Sequence, residues 1–219
     1  MKLSDIFKIS EEKDSLGNKF RNKRFKYFLK KINSIKKPIK ILDLGGKINY
    51  WENRGLASNT NFKITILNLE LEISNHQNIK YVLGNATELS VFEDNSFDIV
   101  HSNSVIEHLY NFENQKKMAL EAQRVGIKHI IQTPNKYFFI EPHYLLPFFQ
   151  YLPKYFQFKI LTKTKISRLK KWDEEFAKQY IEEIRLLSVL EFKKIFPNSK
   201  IYFEKFFGMN KSFTAHNFD

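Results

Sequence analysis

The chain has 219 residues with a net charge of +12, and 42% of its residues are hydrophobic. This length suits one domain with a modest insertion, and the apolar content excludes wholesale disorder. Because there is no cysteine, disulfides, thiolate metal sites and cysteine nucleophiles are excluded. The N-terminus lacks the apolar core of a signal peptide, and no apolar run reaches the roughly 18 residues of a membrane span. We therefore expect a cytoplasmic protein with no transmembrane segment.

The positive charge is concentrated in two segments. Residues 1–40 hold thirteen basic and four acidic residues, and residues 154–171 hold seven basic and no acidic residues. Such clusters attract nucleic acid, anionic lipid or phosphorylated molecules. Solvated lysine-rich helix faces give the same pattern, so the charge leaves the partner open.

The first half of the chain predicts a helix followed by short strands. A basic amphipathic helix is expected over residues 16–36, within a basic N-terminal helical segment over 1–37. Strands rich in β-branched and other apolar residues follow it, and each ends at a glycine or a polar residue. These strands are predicted at residues 39–44, 64–69, 80–83 and 97–102.

The second half continues the alternation and then interrupts it. A helix at 113–125 and a strand at 129–133 come first, and then an aromatic, proline-punctuated stretch begins. We interpret residues 137–171 as an insertion of loops and short helices on the acceptor side of the domain over 38–219. Beyond it the pattern predicts helices at 173–187 and 189–196 and a hairpin of two strands at 200–206 and 211–215. Strands that alternate with helices favour a doubly wound α/β fold, with a parallel sheet and helices on both faces.

Polar residues and glycines follow four of the predicted strands. Ligands bind at the carboxyl edge of open α/β sheets, and glycine there allows close approach of the backbone. An acidic or amide side chain after the second strand can bond ribose hydroxyls. The residues at these strand ends are Asp43, Gly45 and Gly46, Asn68 and Glu70, Asn85 and Ala86, and Asn103 and Ser104.

In their order and spacing, these strand ends resemble the class I S-adenosylmethionine (SAM)-dependent methyltransferases, in particular the bacterial small-molecule and glycan-type branch. The resemblance covers residues 38–135, and the C-terminal hairpin resembles the reversed sixth and seventh strands of that fold. It implies a mostly parallel seven-stranded sheet with a C-terminal antiparallel hairpin, and SAM as cofactor.

The resemblance also implies roles for the strand-end residues. Asp43 would fix the loop and the methionine amino end, and Gly45 and Gly46 would lie under the cofactor. Asn68 or Glu70 would hold the ribose. Asn85 and Ala86 would meet the adenine edge, and Asn103 and Ser104 would lie near the sulfonium.

Four positions depart from the family pattern. Lys47 and Asn49 replace the later glycines of the loop, and Asn85 replaces an aspartate. Asn68 also stands where the family has an acid, and an amide accepts hydrogen bonds without the assistance of a charge. The Tyr50-Trp51-Glu52 stretch after the loop either closes over the cofactor or packs the first helix onto the sheet.

Other cofactors and a metal are not indicated. The loop lacks the Gly-Lys-Ser/Thr of a P-loop and the Gly-x-Gly-x-x-Gly of nicotinamide dehydrogenases. The histidine spacing matches no metal-binding motif, so no metal site is expected. His143, beyond the fifth strand, and His108, after the fourth, are candidate general bases, although a structural role is the alternative for each.

Three functions remain open. The first is methyl transfer to a small-molecule, glycan or lipid-linked acceptor, with peripheral membrane contact as an option for the aromatic insertion. The second is an RNA methyltransferase that uses the basic segments, although no RNA-binding module is recognised. The third is a non-catalytic SAM-fold protein that acts as a binding subunit, which the altered loop glycines suggest.

Overall fold

The computed structural model describes residues 16–219, which divide between two compact units. The larger unit contains Ile35–Tyr137 and Glu183–Asp219. The smaller unit contains residues 16–34 and Phe138–Glu182, so it includes most of the expected insertion and extends eleven residues beyond it. The first 15 residues of the predicted N-terminal segment lie outside the described residues.

A seven-stranded sheet forms the centre of the larger unit. Its strands are β1 (Ile39–Leu44), β2 (Phe62–Asn68), β3 (Ile79–Leu83), β4 (Phe97–Asn103), β5 (Gly126–Pro134), β6 (Lys200–Phe206) and β7 (Met209–His216). They lie in the order β3-β2-β1-β4-β5-β7-β6. The first five strands are parallel, and β7 runs antiparallel to both β5 and β6. The predicted mostly parallel sheet with a C-terminal antiparallel hairpin is confirmed.

Six α-helices lie within the described residues, divided equally between the units. They are α1 (Leu16–Ile32), α2 (Ile48–Glu52), α3 (Phe112–Val125), α4 (Lys154–Lys163), α5 (Glu174–Glu183) and α6 (Val189–Ile195). The helices α2, α3 and α6 belong to the larger unit.

Helices cover both faces of the sheet, as predicted. Leu42 and Leu44 of β1 pack in one apolar cluster with residues of α3 and α6. Asp43 lies between them in the strand, so its side chain points to the opposite face, where it bonds Trp51 of α2. Every residue of β1 except Lys40 is buried, as expected for a central parallel strand covered on both sides.

Two predictions about helices need correction. The helix predicted at 173–187 ends at Glu183, because the following residues are extended and bonded to other segments. Arg185 N donates to Glu107 O at 2.8 Å, and Leu187 forms a bridge with Asn135. The chain also contains no helix between β2 and β3 or between β3 and β4, so the alternation of strands and helices is incomplete.

The smaller unit has its own apolar core. Tyr144, Leu146 and Phe149 pack there with side chains from the region of α4 and α5, including Leu161 and Trp172. A two-residue antiparallel pairing, Ile140–Glu141 with Leu146–Pro147, precedes α4. Within residues 16–219, no helix is both long and apolar enough to cross a bilayer.

His129 in β5 gives the larger unit a pH-dependent stability. Burial, and then the nearby charges of His216 and Lys128, lower the pKa of His129 to about 4. Between that pH and the ordinary value of about 6.5, the unfolded chain binds a proton that the native state does not. The free energy of unfolding should therefore fall by up to about 3 kcal/mol as the pH drops through this window.

Urea unfolding at several pH values measures this effect. His129→Gln removes the titrating group, so the variant should lose less stability than the unmodified protein between those two pH values. Equal pH slopes for the two proteins would contradict the assignment to His129.

Candidate functional site

The carboxyl ends of β1 to β4 meet at one edge of the main sheet. Gly45 N donates to Leu67 O at 2.8 Å and Gly84 N donates to Asn68 O at 3.0 Å, so the turns after β1 and β3 both attach to β2. Asn103 at the end of β4 pairs with Gln132 of β5. The strand-end residues selected from the sequence therefore lie at the edge where open α/β sheets bind ligands.

The loop after β1 has no space for side chains at its two glycines. Gly45 has φ +69°, and a Cβ there would lie 2.7 Å from Cγ2 of Val105. A Cβ on Gly46 would lie 1.8 Å from Oδ2 of Asp43. Both glycines are thus required by the packing of the loop itself, and the close approach leaves its backbone uncovered by side chains of its own.

Asp43 is the centre of a buried hydrogen-bond network. Its Oδ2 accepts a hydrogen bond from Trp51 Nε1 at 2.8 Å, and its Oδ1 lies 2.7 Å from His101 Nδ1. His101 Nε2 in turn lies 3.4 Å from the Tyr50 hydroxyl. Both carboxylate oxygens are therefore engaged inside the protein. The geometry gives Asp43 a role in fixing the loop and α2, while its predicted contact with the methionine amino end stays a prediction.

The network also settles where the aromatic pair after the loop lies. Trp51 is fully buried and packs its ring against Tyr50 and His101, with centroids 5.2 and 5.4 Å away. The guanidinium of Arg54 lies 3.9 Å from the centroid of the Tyr50 ring. Of the two interpretations left open for this stretch, Trp51 fits the one in which it packs its own helix, α2, onto the sheet.

His101 is a site residue that the sequence analysis missed. It lies inside β4, where the apolar pattern of the strand concealed it. No pattern in the sequence marked it, because its pairing with Asp43 depends on the register of the neighbouring strands β1 and β4. A histidine beside a buried carboxylate gains a partner for its ring N–H, which is how such a group is tolerated in a core.

The two candidates for the ribose contact have different environments. Asn68 donates from Nδ2 to Gly46 O at 3.0 Å and so holds the loop, and its Oδ1 accepts from Leu69 N, the next residue, at 2.8 Å. Glu70 is exposed to solvent two residues later. The ribose contact of Asn68 or Glu70 stays a prediction.

Glu72 and Tyr81 support the same loop and were not singled out from the sequence. Glu72 accepts from Ile48 N at 3.3 Å, the first residue of α2, and the Tyr81 hydroxyl donates to Gly46 O at 3.2 Å. Burial, and then the neighbouring Glu72 carboxylate, raise the pKa of Tyr81 above its ordinary value. The tyrosine therefore remains a neutral donor at physiological pH.

The segment after β3 presents the predicted adenine-side residues. Asn85 is exposed, and its Oδ1 accepts from Thr87 N at 3.0 Å and from Thr87 Oγ1 at 2.9 Å. This turn holds the Asn85 side chain in place. Ala86 is buried beside it in the main core.

Asn103 and Ser104 lie half-buried at the end of β4. Ser104 has φ +58°, and its hydroxyl donates to Gln132 Oε1 at 2.9 Å while its N–H donates to Gln132 O at 3.1 Å. A left-handed backbone at a non-glycine residue is uncommon and is maintained only where the surroundings fix it. The Gln132 contacts supply that constraint, so Ser104 has a defined position at the sheet edge.

Each candidate base is oriented by a carboxylate of its own unit. In the larger unit, His108 Nδ1 lies 2.6 Å from Glu183 Oε1. In the smaller unit, His143 Nδ1 lies 2.7 Å from Glu141 Oε1, and the other oxygen of Glu141 accepts from His143 N and Tyr144 N. A carboxylate at Nδ1 favours the tautomer in which Nε2 can accept a proton.

The residues at the sheet edge fit a bound SAM in outline. The crowding at Gly45 and Gly46 keeps a bare backbone where the cofactor would lie, and Glu70 and Asn85 offer exposed polar groups after β2 and β3. The positions of the two missing loop glycines are taken by exposed Lys47 and Asn49, which lie outside these crowded contacts.

The comparisons with known proteins agree with this geometry. The model of the methyltransferase domain family matches residues 48–129. No curated protein sequence matches the chain. Among solved structures, the CurJ carbon methyltransferase is 10% identical with a TM-score of 0.58, and the match covers 91% of this chain and 54% of that one.

Two further structures share the fold. A phosphoethanolamine N-methyltransferase from Haemonchus contortus is 16% identical with a TM-score of 0.52, over 83% of this chain and 38% of that one. The YcgJ protein from Bacillus subtilis is 14% identical with a TM-score of 0.50, over 83% and 71%. The matched region spans about half the length of the CurJ chain and a smaller share, 38%, of the Haemonchus chain.

The family match and the strand order both indicate a methyltransferase fold. The first rests on the sequence of the segment from α2 to β5, and the second on the arrangement of all seven strands. Residues 48–129 are thus similar to the methyltransferase domain family, and the chain has the fold of the class I SAM-dependent methyltransferases, whose cofactor is SAM.

Proposed function

We propose that this protein transfers a methyl group from SAM to a small-molecule acceptor or to a glycan or lipid-linked acceptor. The observation that carries the proposal is the sheet edge, where the glycine loop, Glu70 and Asn85 follow adjacent strands. The Haemonchus relative was solved with phosphomonomethylethanolamine and S-adenosylhomocysteine, a small acceptor and the demethylated cofactor. This supports, for the present chain, an acceptor of similar size.

Methyl transfer demands little bond chemistry from the protein. Bound SAM supplies an electrophilic methyl carbon attached to a sulfonium. The protein must hold donor and acceptor in line and exclude water, and such positioning reaches effective molarities of roughly 10⁵–10⁸ M. The loop of Gly45 and Gly46, fixed by Asp43 and Asn68, provides a rigid support for the donor side.

An oxygen or nitrogen acceptor must also lose a proton. We assign this role to His108, because the Glu183 carboxylate leaves its Nε2 as the accepting nitrogen and because it follows β4 by only a short turn. His143 has the same arrangement with Glu141 and is the second candidate. General-base catalysis by such a group contributes about 10²–10⁴-fold to the rate.

A labelled-methyl assay on fractionated cell extract tests the proposal. Unmodified protein should label a low-molecular-weight, glycan or lipid fraction, and His108→Ala should reduce kcat by roughly 10²-fold with little change in the KM for SAM. His143→Ala tests the second candidate in the same way. His129→Gln serves as the matched control, since His129 bonds Ser199 inside the larger unit and should leave kcat unchanged above pH 7.

The assay also separates the alternatives. Labelling confined to RNA would replace the small-acceptor proposal with the RNA methyltransferase. No labelling of any fraction by protein that binds SAM would favour the non-catalytic binding subunit.

A further inference from the structure

Five neighbouring apolar side chains of the smaller unit are exposed to solvent. They are Phe148, Tyr151, Leu152, Tyr155 and Phe156, and here they are called the aromatic end. Tyr155 and Phe148 are the most exposed, at 65% and 59%. Single exposed apolar residues are ordinary, but several on one short segment indicate a surface that contacts another molecule.

The aromatic end is held rigidly by the segment that carries it. Tyr151 N donates to Phe148 O at 3.1 Å, and Phe156 N donates to Pro153 O at 2.9 Å. Buried Gln157 anchors the same segment by donating to Leu152 O at 2.8 Å. The exposed side chains are thus presented from a hydrogen-bonded backbone, so little backbone conformational entropy is lost when they are buried against a partner.

Positive charge overlaps the end of this segment and continues beyond it. Residues 154–171 contain seven basic and no acidic residues. Lys154 and Lys163 pair with Glu182 and Glu174 of the same unit. The other five basic side chains are exposed, namely Lys159, Lys165, Arg168, Lys170 and Lys171. The Lys159 ammonium lies 5.6 Å from the Tyr155 ring centroid, so charge and aromatic surface adjoin.

We propose that the aromatic end docks on the surface of a bilayer that contains anionic lipid. Tyrosine and phenylalanine insert at the boundary between headgroups and acyl chains, and lysines beside them attract anionic headgroups. A lipid surface fits better than RNA because Leu152 adds aliphatic area that bases do not stack on, and because the charge is mainly lysine rather than arginine. The contact is peripheral.

This docking extends the proposed function, since an enzyme held at a bilayer reaches lipid-linked acceptors. Binding to lipid is measured without SAM, so its failure and the failure of methyl transfer are separate results.

Vesicle co-sedimentation of the full chain tests the proposal. The protein should sediment with vesicles of phosphatidylcholine and phosphatidylglycerol and should remain in solution with phosphatidylcholine alone. Adding salt should weaken the binding, because exposed charges are screened. The double variant Tyr155→Ser/Phe156→Ser should bind at least about tenfold more weakly to the mixed vesicles, since two inserted aromatic side chains are lost.

The matched control replaces exposed apolar residues elsewhere. Val91 and Leu190 are 73% and 70% exposed in the larger unit, and Val91→Ser/Leu190→Ser should bind the mixed vesicles as the unmodified protein does. The proposal would be overturned if both double variants lost vesicle binding equally, or if the unmodified protein did not sediment with the mixed vesicles. The proposal would also be overturned if the protein bound a single-stranded RNA oligonucleotide tightly through Tyr155 and Phe156 and did not sediment with vesicles.

Discussion

Replacing Asp43 by alanine is expected to abolish measurable SAM binding and to destabilise the protein. The carboxylate accepts hydrogen bonds from Trp51 and His101, and both groups would stay buried without it. Each buried donor left unsatisfied costs about 1–3 kcal/mol, so the free energy of unfolding should fall by roughly 2–6 kcal/mol. Because Trp51 joins α2 to the sheet, the glycine loop would also lose its fixed geometry. Urea unfolding and SAM titration measure the two effects.

Milder variants keep this prediction testable if Asp43→Ala does not fold. Trp51→Phe removes one donor and keeps an aromatic ring, so it should weaken SAM binding less than Asp43→Ala does. Asp43→Asn keeps one accepting oxygen but places an amide NH₂ against a donor, so its effect should lie between the two. Normal SAM affinity in a folded Asp43→Asn protein would show that the carboxylate does not organise the site.

Replacing Gly45 by alanine is expected to reduce SAM affinity at least about tenfold, equivalent to about 1.4 kcal/mol. The new Cβ would lie 2.7 Å from Val105 Cγ2, and φ there is +69°. The loop would have to move away from Val105, and the backbone that approaches the cofactor would move with it. Titration of the variant with SAM measures the change.

The chain supplies a matched control and a rescue. Gly55 has nearly the same φ, +70°, but a Cβ there meets no heavy atom within 4 Å. Gly55→Ala therefore carries the backbone strain without the collision and should bind SAM normally. Val105→Ala combined with Gly45→Ala removes the colliding methyl groups and should recover part of the affinity. Equal losses of SAM affinity in Gly45→Ala and Gly55→Ala would show that backbone strain alone, and not the collision with Val105, lowers the affinity.

Local patterns were sufficient to predict most of the sheet. The apolar run Ile39–Leu44 stops at a glycine pair, and β1 has those bounds in the structure. Ser188 caps α6 through a reciprocal bond with Glu191, a signature that sequence spacing alone reveals. Turn residues at Phe207 and Gly208 close the C-terminal hairpin. These features depend on residues close together in the chain.

Features that depend on distant residues were not predicted. Arg185 lies in a helical pattern, but its N–H bonds Glu107, which is far away in sequence, and the helix ends before it. The bond between Asp43 and His101 depends on the parallel register of β1 and β4. In the same way, only the folded chain shows that Asn68 holds Gly46, while Glu70 is exposed to solvent.

Isothermal titration of the unmodified, folded protein with SAM tests most directly whether this chain binds the cofactor. We expect binding at one site per chain, with S-adenosylhomocysteine competing for it, because one glycine loop and one set of strand ends form the site. If neither compound binds to protein whose circular dichroism shows the mixed α/β fold, the sheet edge is not a SAM site.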